Sequence, residues 1–284
     1  GEILMTKSLK KYFPIFVLPT LIAFCIAFLV PFIMGMYLSF TEFNTVTNAN
    51  WVGLKNYLHA FTDESFVNAL WFTVKFTVVS VITINVIAFI LALLLTGTLK
   101  GTNIFRTIFF MPNLIGGIVL GYIWLSIINS FLYNFGVTIT YKPEYGFWGL
   151  VILMNWQLIG YMMIIYIAGI QSVPGELIEA AKIDGANKFQ ILRKITIPLV
   201  MPSATICLFL TLTNSFKLFD QNLALTNGAP AESTTMLALN IYKTFYGRMG
   251  WEGVGQAKAV VFFIIVGLIA ITQVVLTRRK EVEY

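Results

Sequence analysis

The chain has 284 residues, of which 58% are hydrophobic and only 11% charged. A water-soluble domain carries roughly a quarter charged residues, so water is not the main solvent of this chain. The formal charge of +6 comes from Lys and Arg clustered beside uncharged runs, as contact with anionic lipid heads requires, and gives no ground for nucleic-acid binding. The two cysteines, Cys25 and Cys207, fall inside apolar runs, which excludes a disulfide framework and a Cys-rich zinc site.

The first segment, Gly1 to Leu4, precedes Met5, a natural start, and is set aside; residues 1–11 then read as an N-terminal tail, expected in the cytoplasm from the charge count below. A membrane-crossing helix needs about 20 mostly apolar residues. Stretches of that kind run from Tyr12 to Phe40, Asn68 to Leu95, Ile108 to Ile128, Phe147 to Ile170, Leu199 to Phe219 and Ala257 to Leu276. The first is too long for a signal peptide and lacks a small-residue cleavage site. Pro14, Pro19 and Pro31 in the first span and Pro112 in the third predict kinked helices, because a helix bundle can satisfy the backbone groups that proline frees. Asp63 and Glu64 read as a helix start. The fold class is therefore all-α integral membrane protein with six transmembrane helices, residues 12–284 forming a single membrane domain.

Lys and Arg accumulate on the cytoplasmic side of a membrane protein. Lys7, Lys10, Lys11, Lys100, Arg106, Lys182, Lys188, Arg193, Lys194 and Arg278 to Lys280 share one side, against Lys55, Lys142, Lys217, Lys243 and Arg248 on the other. Both termini are thus expected in the cytoplasm. Lys75 and Lys258 lie inside spans near their outer ends and are expected to snorkel. No Asp or Glu falls at the middle of a span, where ion-coupled carriers usually keep one, and the sequence has no Gly-Lys dipeptide and hence no phosphate-cradling G-x-x-x-x-G-K-[ST] loop. Uphill transport would need an external engine. The single histidine, His59, has no second ligand near it in sequence and reads as a solvated loop imidazole rather than a catalytic or metal group.

Between the fourth and fifth spans, residues 172–198 carry the most informative segment. Ser172 is a candidate helix cap, Pro174 fits a first turn, Glu176 suits the positive end of the helix dipole and Gly185 can leave helical geometry, so a short helix ending near Asp184 is predicted. Leu177, Ala180 and Ala181 make an apolar strip with Glu179 beside it, and a second amphipathic piece with Phe189, Leu192 and Ile195 follows. Periodicity alone fits a helix pair lying in lipid headgroups as well as it fits a protein-docking surface.

The residues themselves go further. Glu179-Ala180-Ala181, Asp184-Gly185-Ala186 and Ile195 to Pro198 resemble the EAA signature of bacterial ABC importer permeases. Trp51 to Tyr57, Phe105 to Pro112 and Leu225 to Pro230 are similar to stretches of the carbohydrate-type permeases, of the first-subunit kind that handles maltose or glycerol phosphate. The resemblance implies the type I importer permease fold and a coupling helix seated in a cleft of a cytoplasmic ATPase. It also implies a heterodimer with a second, related permease, two ATPase subunits that hold ATP and Mg, and an extracytoplasmic solute-binding protein. This chain itself is expected to bind no cofactor and to be no enzyme. A bacterial plasma-membrane location and a sugar solute, mono- or oligosaccharide, follow. Glycerol phosphate or another polyol derivative is the alternative, and a stand-alone secondary carrier a distant one.

For the solute path, Thr211, Asn214 and Ser215 fall on one narrow face of the fifth span with Cys207 and Leu218, and Gln157 and Tyr161 share a face of the fourth. Hydroxyls and amides can replace the water that a sugar gives up, although for any one Ser or Thr polar glue between helices, a bond to its own backbone or to a neighbour, is the simpler explanation, and for Gln157 and Tyr161 core packing is. By resemblance to the maltose permease the solute-facing positions are Tyr161, Thr211, Ser215 and Leu218, and Leu218 departs from that pattern, which has a polar side chain there.

Overall fold

The computed structural model describes residues 2–45, 47–97 and 101–279, with side chains from residue 12 onward. Lys100, Lys280 and the side chains of Lys7, Lys10 and Lys11, all used in the charge count, lie outside the described residues, as does Gly1. Among the described residues, six helices are long and apolar enough to cross a membrane, over Tyr12–Leu38, Glu64–Thr96, Gly117–Phe135, Pro143–Gln171, Lys188–Phe216 and Glu252–Arg278. The packing divides them between two compact units, Gly1–Thr62 with Tyr242–Val260, and Asp63–Ile241 with Val261–Tyr284.

In the first unit, helix α1 (Glu2–Phe24) runs through Pro14 and Pro19, so the expected tail is helical from Glu2. A π-helical stretch (Cys25–Leu29) leads into α2 (Val30–Leu38). Its wider turn, closed by the Val30 amide on the Cys25 carbonyl, comes immediately before Pro31, whose ring would collide with the carbonyl of an ordinary α-turn. Strands β1 (Thr41–Phe43) and β2 (Ala49–Trp51) pair antiparallel with Thr41 opposite Trp51, and the short helix α3 (Lys55–Thr62) follows. Lys258 departs from the snorkelling expectation: it is fully buried and donates to Thr244 Oγ1 at 2.8 Å. A buried ammonium needs such an acceptor to offset its lost hydration.

In the second unit, α4 (Glu64–Thr96) starts at Asp63, whose carboxylate accepts from the Ser65 amide. Helix α5 (Thr102–Phe110) ends in a 3-10 turn (Met111–Leu114), and α6 (Gly117–Leu132) begins only after an extended link. The third span is therefore Gly117–Phe135 and not residues 108–128. Pro112 and the pair Gly116-Gly117 break the helix where a kink was expected, with Ile115 and Gly116 in extended backbone between the two helices. Helix α5 lies so close to α7 (Pro143–Gln171) that a Cβ at Gly160 would overlap the Phe109 carbonyl.

Helix α8 (Gly175–Ile183) and the single turn α9 (Lys188–Ile191) are followed by a second π stretch (Leu192–Thr196) and α10 (Ile197–Phe216). This π turn also precedes a proline, Pro198, and is closed by the Ile197 amide on Leu192. The fifth span thus begins near Lys188, earlier than expected, since the amphipathic piece and the span are one helix. Helix α11 (Asp220–Leu225) packs on the Gly117 and Gly121 side of α6. Helices α12 (Leu237–Gly247) and α13 (Glu252–Arg278) are the last among the described residues.

The core of the second unit forms where α4, α7 and α10 meet, around Phe76, Ile84, Leu153, Met162 and Cys207. One polar network crosses it. Asn85 Nδ2 donates to Thr211 Oγ1 at 2.9 Å while Asn85 Oδ1 accepts from the Tyr166 hydroxyl at 2.9 Å, joining all three helices. Without water to compete, a buried amide gains most from such partners within the bundle.

Candidate functional site: the coupling loop and a polar pocket

Residues 172–186 fold as a helix fixed at both ends. Ser172 closes α7 instead of opening α8: its hydroxyl donates to the Gly169 carbonyl at 2.8 Å, and Pro174 stands at the N-cap of α8. Ser172 lies two residues before that N-cap, and Val173 is buried, so the chain turns between the two helices at that point. At the other end the Ala186 amide reaches back to Ala181 and the Gly185 amide to Lys182, with Gly185 at φ +78°. This is the Schellman arrangement, in which a glycine in the left-handed region lets the last carbonyls be satisfied. Asn187 then opens α9 with a capping box, its side chain and backbone exchanging hydrogen bonds with Gln190 at 2.9 and 2.8 Å. The Asp184-Gly185-Ala186-Asn187 segment is thus a stop and a start in immediate succession, which holds α8 at a fixed angle.

Glu179 and Ala180 are exposed on α8, Ala181 is half-buried, and Ile178 packs inward against the core. The outward apolar group absent from the expected strip is Ile183, 86% exposed, three residues after Ala180 on the same face. That spacing was available in the sequence. Asp184, Gly185 and Ala186 close the helix, and Pro198, half-buried, opens α10 after the π turn.

A second feature is a polar pocket of about 340 Å³ lined by α7, the end of α10 and α11. Gln157, Tyr161, Asn214 and Leu218 all border it. So do Asn113, in the 3-10 turn after α5, Lys217, the C-cap of α10, and Gln221 of α11, which sequence reasoning missed because helical periodicity does not extend through turns and caps. Gln221 Nε2 donates to Gln157 Oε1 at 2.7 Å, and the Tyr161 ring is held edge-on by Phe110 at 6.3 Å between centroids. Thr211 and Ser215 are not at the pocket: both are fully buried. Thr211 donates to the Cys207 carbonyl and Ser215 to the Thr211 carbonyl, each at 2.7 Å. These are the self-helix bonds typical of hydroxyls in membrane helices. The pocket offers amide donors and acceptors, one aromatic ring and no carboxylate among its described lining residues, a chemistry suited to hydroxyl groups. Among the described residues no group of three His, Cys, Asp or Glu side chains could hold a metal ion.

Residues 98–282 match the family model described as the binding-protein-dependent transport system inner membrane component. The chain belongs to that family. It is the permease type of ABC-transporter subunit, a multi-pass membrane protein with the six-helix importer fold. Among its relatives, a permease named for a probable starch degradation products transport system of Thermoanaerobacterium thermosulfurigenes is 46% identical, covering 95% of this chain and 94% of that protein. A multiple sugar-binding transport system permease of Streptococcus mutans is 31% identical over 97% of this chain and 99% of its own length. Among solved structures, a bacterial ABC transporter involved in import of the acidic polysaccharide alginate superposes with TM-score 0.82 at 22% identity, covering 97% of this permease and 98% of that chain. At that identity the likeness concerns the fold.

Proposed function

We propose that this permease carries a sugar, mono- or oligosaccharide, inward across a bacterial plasma membrane, the solute being delivered by an extracytoplasmic binding protein. Two cytoplasmic ATPase subunits, which hold ATP and Mg, drive the transport, and a second, related permease completes the path. Both termini and α8 face the cytoplasm, in keeping with the Lys and Arg distribution. The sugar-transport names of the relatives support the sugar, as does the amide-lined pocket.

One observation carries the reading: the two helices that flank the coupling loop, α7 and α10, are the two that carry Gln157, Tyr161 and Asn214. Helix α8 joins α7 through residues 172–174 and α10 through the capped turn at 184–187 and the helical run from Lys188. Closure of the ATPase pair around ATP moves α8, and with no flexible linker on either side the displacement passes to both walls of the pocket. The pocket then opens alternately to the two faces of the membrane. Glu176 and Glu179 on α8 can accept charge-assisted hydrogen bonds from the ATPase while Ile183 fills an apolar recess.

Glycerol phosphate remains a second reading because Lys217 is the one cation among the described pocket residues. The assembled importer in proteoliposomes separates the two. A sugar reading expects maltooligosaccharide with binding protein to stimulate ATP hydrolysis and uptake. It also expects the double variant Gln157→Leu/Asn214→Leu to lower uptake by about tenfold, the worth of one to two hydrogen bonds, with basal hydrolysis retained. Stimulation by glycerol phosphate alone, abolished by Lys217→Gln, would instead select the phosphate reading.

A further inference from the structure

Helix α3 (Lys55–Thr62) and the residue before it divide into three sectors when projected at 3.6 residues per turn. Asn56 and Ala60 form the first and are buried. Leu54, Leu58 and Phe61 form the second and are 64%, 66% and 58% exposed. Lys55, His59 and Thr62 form the third, exposed and polar. A helix that meets only protein and water needs two faces; a third, apolar and uncovered, calls for a third medium.

The position of α3 identifies that medium. Asn56 Nδ2 donates to the carbonyls of Ser39 at 3.0 Å and Thr41 at 2.8 Å, immediately beyond Leu38, where the first span ends. The helix is therefore tied to the membrane boundary. A run of ring contacts leads from the span to it: Tyr37 to Trp51 at 6.0 Å, Trp51 to Phe40 at 5.4 Å, and Phe40 to Tyr57 at 5.2 Å. Tyr37 and Trp51 are themselves more than half exposed, as in the aromatic belts that sit at lipid headgroup level. The Tyr57 hydroxyl lies 2.6 Å from Ser39 Oγ, a second tie to the end of the span.

We infer that α3 lies in the bilayer interface, with Leu54, Leu58 and Phe61 entering the acyl boundary of the leaflet where the first span ends, and Lys55, His59 and Thr62 facing water. The partner is lipid, and the assignment does not depend on which side of the membrane the termini occupy or on the solute carried. It makes α3 a fixed float for the first span, holding the depth of the helix that leads away from Leu38.

Nitroxide labels at Leu58→Cys, Phe61→Cys and Thr62→Cys, in a background lacking Cys25 and Cys207, test this in the assembled importer in phosphatidylcholine/phosphatidylglycerol vesicles. Elution and thermal unfolding unchanged from the unlabelled complex establish that each labelled complex is intact. Labels at 58 and 61 should collide several-fold more with oxygen than with a water-soluble nickel chelate, at a depth of about 5–10 Å below the headgroups, and the label at 62 should show the reverse preference. Nickel-dominated collisions at 58 and 61 would place the sector in water, and shielding from both reagents would place it under a protein partner; either result overturns the assignment.

Discussion

Asn85 is the residue on which the core of the second unit turns, since its one amide meets both Tyr166 of α7 and Thr211 of α10. Hydrogen bonds between helices inside membranes average about 0.6 kcal/mol and reach about 1.7 kcal/mol. Asn85→Ala should therefore cost about 1–2 kcal/mol and lower the unfolding temperature of the detergent-purified complex by a few degrees. In a double-mutant cycle Asn85→Ala and Tyr166→Phe should fall short of additivity by about 0.5–1.5 kcal/mol, and full additivity would mean that the pair does not interact. At this scale the sequence was partly legible. Gln157, Tyr161 and Asn214 can be picked out as polar groups within apolar runs, and the structure brings them together at one pocket with Leu218. Thr211 and Ser215 lie on the other edge of the same helical stripe, where α4 and α7 cover them. The boundary between covered and open runs along the stripe itself, and a single helix's periodicity carries no information about its neighbours.

At the scale of elements, α8 shows what short-range chemistry can determine. Glycine at position 185 and the polar cap at 187 mark where one helix stops and the next starts, and both are local signals. Gly185→Ala should weaken this closure by about 1 kcal/mol, because an L-residue at positive φ meets its own carbonyl, while Gly185→Asn should be tolerated better. Sugar-stimulated ATP hydrolysis checks the order: Gly highest, Asn next, Ala lowest. Ile183→Ser removes an apolar anchor worth about 1.5–3 kcal/mol when buried, so ATPase association measured by copurification should weaken by about tenfold or more. Unchanged association would remove Ile183 from the docking face. The third span was not legible in the same way. An apolar run from Ile108 to Ile128 satisfies the length rule, yet its continuity is lost at Pro112 because α5 is drawn against Gly160 of α7, a contact between segments distant in sequence. The π turns before Pro31 and Pro198 belong to the same class: proline announces a disturbance, but only the packed helix decides between a kink, a break and a widened turn.

For the whole molecule, hydropathy located six crossings because length and charge exclusion are imposed by the bilayer and not by tertiary contacts. What hydropathy could not supply was the division into two units or the pocket wall built by α11, since both depend on which helices meet. The central claim is mechanical: α8 conveys a displacement generated by a separate ATPase to the helices that hold the solute. Its most direct test compares uptake of a labelled maltooligosaccharide into proteoliposomes holding the complete importer, the importer with Glu179→Lys in this chain, and this chain alone under a proton or sodium gradient. The account predicts ATP-dependent accumulation by the first and none by the other two. Accumulation by the isolated chain, or undiminished uptake by the Glu179→Lys complex, would contradict it.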